Sequence, residues 1–132
     1  MSPTILVDPV ASPTADSTAA TLRDLAAASV GHRAIAVLGP VDPGAETVVD
    51  AHDRLGRLVV RLGIELLVVV GDGARHLHAA AGLEGSWDGE SVIVDDADAA
   101  YDALCDFLRP DDVVLVTSPL AGLAARLEAI AG

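Results

Sequence analysis

The sequence contains no lysine, so all eight of its basic residues are arginine. A lysine-free chain cannot form a Schiff base with a substrate, and no G-x-x-x-x-G-K-[ST] phosphate-binding loop occurs. Cys105 is the single cysteine, which excludes an intrachain disulfide and a cysteine-based metal site. Because aromatic residues make up only 2% of the chain, the core must be built from Ala, Val, Leu and Ile.

Charge and hydropathy narrow the classes of protein further. The net charge of −12 repels phosphate backbones, so we expect no nucleic-acid partner. The residues from Met1 to Thr4 lack a basic leader region, and no apolar run approaches the ~18 residues of a membrane span. We therefore expect a cytoplasmic protein with one domain over residues 1–132, whose 52% hydrophobic content is enough for a packed core.

Apolar runs typical of buried strands alternate with segments of helical period. The predicted strands are residues 4–8, 34–39, 64–70, 91–94 and 113–116. This alternation predicts a Rossmann-like, doubly wound α/β sandwich of three layers, with five or six mostly parallel strands. The run Leu66–Val70 shows no polar alternation, so we expect it to be the central strand, covered on both faces.

Capping residues predict where the helices begin. A short helix over residues 74–81 is expected after the turn Gly71-Asp72-Gly73. The other predicted N-caps are Asp16 or Ser17 for the first helix, Asp42 before Pro43 for the second, Asp95 or Asp96 for the fourth, and Ser118 before Pro119 for the last.

Several stretches near the strand ends share a further pattern. Residues 33–39 read R-x-I-A-V-L-G, residues 62–71 read L-G-I-E-L-L-V-V-V-G with Ala74-Arg75 behind them, and residues 108–116 read L-x-P-D-D-V-V-L-V. His52 follows Gly39 by thirteen residues, and Leu6-Val7-Asp8 precedes the pair Ala19-Ala20. Together these stretches resemble the C-terminal domain of the Mur ligases, most closely the branch that adds D-alanyl-D-alanine. That family's pattern has Gly where this chain has Asp111.

The resemblance implies a part in building the peptidoglycan precursor, through an ATP-dependent amide ligation that passes through an acyl phosphate. It also implies that ATP and Mg²⁺ are cofactors only within a complete ligase, whose P-loop and UDP-sugar domains do not fit in 132 residues. The chain departs from the family at three strand ends. Tyr-Asn-Ala-Asn-Pro is replaced by Val10–Thr14, Gly-Asp-Met by Gly39–Val41, and Lys-Gly-Ser-Arg by Thr117–Leu120.

Two functions remain open at this point. The first is a Mur ligase C-terminal-type domain that is not catalytic alone and works with catalytic Mur ligase domains as its partners. The second is a stand-alone degenerate domain that serves as a non-enzymatic interaction or assembly module, with further copies of itself as partners. The three departures at the strand ends favour the second.

Ligands of doubly wound domains bind outside the carboxyl ends of the strands, which selects the candidate residues. They are weak ligand-binding candidates, with no catalytic residue and no metal ligand among them: Asp8, Gly39, His52, Gly71 and Arg75. Asp8 is either a ligand-contacting carboxylate or a turn former. The turn at Gly71–Gly73 either cradles an anion or is purely structural, and the structural turn is favoured because Asp72 would repel an anion.

The other polar residues are weaker candidates for a ligand or metal site. His76 and His78 lie two apart, so on a helix they point in different directions and cannot chelate one metal. The acidic series Asp98, Asp102 and Asp106 occupies one helix face and is expected to be solvated. Arg75, Arg109 and Arg126 could hold an anion only if the fold brings them together.

Overall fold

The chain alternates strands and helices, and the computed structural model describes residues 3–85, 87–117 and 120–131. The strands are β1 (Thr4–Val7), β2 (Ala34–Leu38), β3 (Leu66–Val70), β4 (Glu90–Val94) and β5 (Val113–Val116). The helices are α1 (Ala15–Ala28), α2 (Val48–Arg61), α3 (Arg75–Gly82), α4 (Ala97–Phe107) and α5 (Ala121–Ala131). A single 3₁₀ turn, Asp72–Ala74, precedes α3.

All five strands are parallel, in the order β1-β5-β2-β3-β4. This confirms the predicted Rossmann-like α/β fold. The prediction for Leu66–Val70 needs a correction, because β2 and not β3 is the middle strand. β3 is nevertheless internal and all five of its residues are buried, as its unbroken apolar run indicates. The centre shifts by one strand because β5 returns to lie between β1 and β2.

The helices divide between the two faces of the sheet. Buried side chains of α1, α2 and α3 form one core with the sheet, and those of α4 and α5 form a second core on the opposite face. Right-handed crossovers explain the division, because only the connection from β4 to β5 runs back across the sheet. Its helix α4 must therefore pack on the face opposite to α1, α2 and α3.

Gly56 allows α2 and α3 to pack closely. A Cβ at this position would lie 2.6 Å from the carbonyl oxygen of Leu77 and 2.9 Å from the Cβ of Ala80. The first contact is with backbone, which cannot move aside, so a side chain at position 56 would force the two helices apart.

The N-cap of α1 lies earlier in the chain than the sequence predicts. Thr14, not Asp16 or Ser17, is the N-cap, and its side chain accepts a hydrogen bond from the Ser17 amide at 3.0 Å. The Thr14 amide in turn donates to Ser17 Oγ at 2.9 Å, which completes a capping box. At α4 the expected cap is confirmed, since Asp96 accepts from the Ala99 amide at 2.9 Å.

The predicted start of the second helix at Asp42-Pro43 is wrong. Helix α2 begins at Val48 with Thr47 as its N-cap. The amide of Asp42 donates to Pro13 and its carbonyl accepts from Ala15, so the backbone of Asp42 is held in a bridge to the neighbouring loop. The Asp42 side chain accepts from the Gly44 amide at 2.9 Å and so closes a turn instead of capping a helix. The predicted cap Ser118-Pro119 lies outside the described residues.

Candidate functional site

The loops that follow the five strands all leave the sheet at one edge, because the strands are parallel. We call this the carboxyl edge; it comprises residues 8–14, 39–47, 71–74, 95–96 and 117. Strands β1 and β5 are neighbours there, yet the helices that follow them pack on opposite faces of the sheet. Doubly wound domains bind their ligands outside the carboxyl ends of the strands, where the helices that follow neighbouring strands diverge in this way.

Asp8 and Thr117 lie side by side, directly after β1 and β5. The Asp8 amide donates to the Val116 carbonyl at 3.0 Å, and the Thr117 amide donates to Val37 at 3.3 Å. Both residues are only 2% exposed. Strand alternation directs both side chains to the face covered by α1, since Leu6 and Leu115, two residues before each, pack in the core on that face.

Two hydroxyl groups near this face are buried without a hydrogen-bond partner among the described residues. They belong to Thr117 and to Thr18, which lies on the sheet-facing side of α1. Burying a hydroxyl without a hydrogen-bond partner costs free energy, so both groups destabilise the fold locally. The sequence places Thr117 at a strand end but does not single out Thr18, which stands in the otherwise apolar stripe Ala15, Thr18, Leu22 and Leu25.

The Asp8 carboxylate closes its own turn. Its Oδ1 atom accepts from the Val10 amide at 3.0 Å, and its Oδ2 atom lies 3.2 Å from the Thr21 hydroxyl. That hydroxyl also lies 2.9 Å from the Ser17 carbonyl and has one proton, so it can donate to only one of the two oxygens at a time. The carboxylate thus points back towards α1, and the described residues place no cation against it.

Gly39 and Gly71 follow the neighbouring strands β2 and β3. Gly39 is buried, and a Cβ there would meet the Val70 carbonyl at an ordinary distance of 3.8 Å. Gly71 has φ of +93°, a conformation that side chains with a Cβ rarely adopt, so the turn itself requires glycine. Its amide donates to Val94 at 2.8 Å and is therefore not free for an anion.

The last two candidates lie in different surroundings. Arg75 is exposed beside the 3₁₀ turn, and its Nη1 atom lies 3.2 Å from Asp72 Oδ2. His52 is 1% exposed beneath the loop between β2 and α2, where both ring nitrogens contact backbone groups. The fold therefore brings Asp8, Gly39, Gly71 and Arg75 to one edge and encloses His52 behind it. Their role in ligand binding stays a prediction.

A depression of about 310 Å³ lies on the carboxyl edge beside the start of α1. Arg54 spans it, with Nη2 at 3.1 Å from Asp16 and Nε at 3.0 Å from Glu46. Asp42 also lines it, so its carboxylates outnumber its single guanidinium. This depression therefore suits a cationic or neutral group better than a phosphate.

The three arginines considered from sequence do not meet. Arg75 lies at the carboxyl edge, whereas Arg109 precedes β5 at the opposite edge. Arg126 pairs with Asp98 at 2.6 Å and stacks on the Tyr101 ring at 4.0 Å. His78 lies 2.7 Å from the Ser91 hydroxyl.

Within residues 3–85, 87–117 and 120–131, no group of three His, Cys, Asp or Glu side chains could hold a metal ion. The same part of the chain contains no helix long and apolar enough to cross a membrane.

The parallel strand order and the helices on both faces of the sheet define a Rossmann-like α/β domain. Residues 2–120 match the sequence model of the family described as "Mur ligase, glutamate ligase domain". The chain therefore belongs to the Mur ligase family through this domain, as its sequence motifs predict.

Two curated relatives are named UDP-N-acetylmuramoyl-tripeptide–D-alanyl-D-alanine ligase. The protein from Mycobacterium leprae is 43% identical over 107 residues, covering 79% of this chain and 21% of the relative. The protein from Mycobacterium tuberculosis H37Rv is 44% identical over 112 residues, covering 74% of this chain and 22% of the relative. The chain thus spans about a fifth of the length of these relatives.

Solved structures support the fold. MurF from Acinetobacter baumannii superposes with a TM-score of 0.71 at 18% identity, over 95% of this chain and 28% of that protein. A domain of a ligase from Haemophilus ducreyi, described as a putative UDP-N-acetylmuramate:L-alanyl-gamma-D-glutamyl-meso-diaminopimelate ligase, gives 0.71 at 17% identity. It is matched over 99% of this chain and 93% of the domain.

Proposed function

We propose that this domain takes part in adding D-alanyl-D-alanine to UDP-N-acetylmuramoyl-tripeptide in the cytoplasm. In this proposal it closes over an active site whose P-loop and sugar-binding parts belong to other domains, and it contributes no catalytic group itself. ATP and Mg²⁺ are then cofactors of the assembled ligase and not of this domain alone. The names of the two mycobacterial relatives support the substrate, at 43% and 44% identity.

The state of the carboxyl edge is the observation that carries the non-catalytic part of the proposal. Asp8, at the end of β1, is buried and engaged with its own turn and with α1. The adjacent loops present Val10, Ala11 and Pro40, which offer no side-chain hydrogen bond. A net charge of −12 adds long-range repulsion of a nucleotide.

A domain exchange tests this function. The C-terminal domain of the M. tuberculosis ligase is replaced by residues 1–132, and ligation of D-alanyl-D-alanine is measured beside the ligase that lacks this domain. We expect the shortened ligase to be inactive and the chimera to regain measurable ligation. Val10→Tyr with Ala11→Asn, which restores two residues of the family pattern, should raise the activity further. A folded chimera that is no more active than the shortened ligase would contradict the proposal.

The isolated chain supplies the complementary measurement. We expect no release of phosphate from Mg-ATP above the buffer rate. Calorimetric titration should give a dissociation constant in the millimolar range or weaker, because two or three charge-assisted hydrogen bonds of the family site are missing. Binding in the low micromolar range would mean that other residues form the site.

Exposed valines favour an assembly module as the second candidate. Val10 lies at the carboxyl edge, Val48 and Val49 lie in the first turn of α2 beside it, and all three are between 37% and 49% exposed. We propose a second copy of the chain as the occupant of this apolar edge. Sedimentation should then show a concentration-dependent dimer that Val10→Asp and Val48→Asp dissolve, whereas Val30→Asp at the opposite edge leaves it intact. A monomer at all concentrations excludes this candidate.

A further inference from the structure

The His52 ring lies between a backbone group of the loop between β2 and α2 and a backbone group in the first turn of α2. The Val41 amide donates to Nε2 at 3.1 Å, and Nδ1 lies 2.7 Å from the Val48 carbonyl oxygen. An amide can only donate and a carbonyl can only accept, so Nε2 carries the lone pair and Nδ1 carries the proton. The contacts thus select one neutral tautomer of the ring, the one protonated at Nδ1.

This attachment reaches beyond one loop. Val41 is buried, and the next residue, Asp42, is bridged to the loop between β1 and α1. The Asp42 amide donates to Pro13 at 2.9 Å and its carbonyl accepts from Ala15 at 3.0 Å. Residues 9–14 and 39–47 are therefore tied together, and the ring ties both loops to α2.

We propose that His52 is a positioning residue of the carboxyl edge, which holds these two loops in place as the Nδ1-protonated tautomer and touches no ligand. The inference rests on the proposed function only in taking the two loops as part of the functional edge. Space filling alone does not explain the ring, because an apolar side chain of similar volume would leave the buried Val41 amide without an acceptor.

Three variants at one position separate the two bonds. His52→Leu removes both of them. In His52→Gln the side-chain oxygen lies at the ε position and can still accept from Val41. In His52→Asn the side-chain NH₂ can still donate to Val48 but does not reach Val41. Val59→Ala is the matched control, since Val59 is fully buried two turns later on the same side of α2 and contacts neither loop through hydrogen bonds.

Amide hydrogen exchange of the 132-residue chain provides the readout. In His52→Leu we expect protection of the Val41, Asp42 and Ala15 amides to fall about tenfold relative to Val68 in β3. His52→Gln should recover part of the Val41 protection, and His52→Asn should not. Val59→Ala should lower all four amides together. If His52→Leu does not fold, the contrast between His52→Gln and His52→Asn decides.

Nitrogen NMR of the His52 ring gives an independent signature. We expect Nε2 to resonate as an unprotonated nitrogen and Nδ1 as a protonated one. The opposite assignment would overturn the proposal, and so would uniform loss of protection in all His52 variants. Both measurements read this chain alone, so an inactive chimera would defeat the proposed function and leave this inference standing.

Discussion

The buried carboxylates at the two edges of the sheet differ in their hydrogen-bond partners. At the edge before the strands, which we call the amino edge, Asp112 accepts from Arg33 through Nε at 2.9 Å and Nη2 at 2.6 Å, and from the Arg109 amide at 2.9 Å. Arg33 also donates to the Phe107 carbonyl at 2.8 Å and stacks on the Phe107 ring at 4.3 Å. At the carboxyl edge, Asp8 meets one amide and one shared hydroxyl.

This difference matches the separate roles that we expect for the two edges, stability at the amino edge and ligand binding at the carboxyl edge. Doubly wound domains bind their ligands outside the carboxyl ends of the strands, so the polar groups at the amino edge are available to stabilise the fold itself. The side-chain hydrogen bond to Asp112 raises the pKa of Arg33 above its ordinary value. The stability that this raised pKa contributes is fully present below the pKa of the unfolded chain and is lost only as the pH rises through the pKa of the folded chain. The Arg33 guanidinium therefore stays charged at any pH near neutral. In the part of the chain that the structure describes, both buried hydroxyls without a partner, those of Thr18 and Thr117, lie on the carboxyl side.

Replacing the amino-edge carboxylate should have the largest effect. Asp112→Asn keeps the shape but removes the charge that faces Arg33, and it turns an NH₂ group towards donors. We expect the free energy of unfolding to fall by about 2–3 kcal/mol, measured by urea denaturation. Asp98→Asn is the control, because the Asp98–Arg126 contact has the same 2.6 Å length but Asp98 is 83% exposed. It should change stability by less than about 0.5 kcal/mol. Equal effects would refute the contrast between a buried and an exposed pair.

Removing an unsatisfied hydroxyl from the carboxyl edge should act in the opposite direction. Thr117→Val replaces a buried hydroxyl with a methyl group of similar size, and we expect unfolding to cost about 1 kcal/mol more. Thr18→Val should behave in the same way. A loss of stability in either variant would show that the hydroxyl has a partner, such as a buried water, and that the carboxyl edge is as well satisfied as the amino edge.

Asp111, at the amino edge, has a strained backbone conformation. Its φ is +74°, where the family pattern has glycine. Asp111→Gly should raise the free energy of unfolding by about 0.5–1 kcal/mol, since glycine adopts this conformation without strain. Asp106→Gly is the control in α4 and should cost about 1 kcal/mol, because glycine weakens a helix interior. Destabilisation by Asp111→Gly would mean that the Asp111 side chain stabilises the turn.

Local patterns in the sequence predict the elements, whereas long-range contacts decide the rest. The strand runs and the Asp96 cap depend on neighbouring residues and could be read directly. Arg33 and Asp112 are 79 residues apart, so no local pattern pairs them. The start of α2 differs from the prediction because Asp42 is held by the loop between β1 and α1. The contacts of His52 with backbone groups are likewise not visible in the sequence. The position of β5 between β1 and β2 also depends on long-range pairing, so no local pattern predicts it.

The smallest expected effect is at Asp8, and it decides between the two readings of that residue. In Asp8→Asn the side-chain oxygen can still accept from the Val10 amide, and the Thr21 hydroxyl can donate to Ser17 instead. The free energy of unfolding should therefore change by less than about 0.5 kcal/mol, far less than in Asp112→Asn. Ligation by the chimera then separates the roles, because a turn former tolerates an amide and a ligand-contacting carboxylate does not. Unchanged stability with activity lost at least tenfold would assign Asp8 to the ligand. Unchanged stability with unchanged activity would assign it to the turn, and a large loss of stability would show that the carboxylate charge has a partner in the fold.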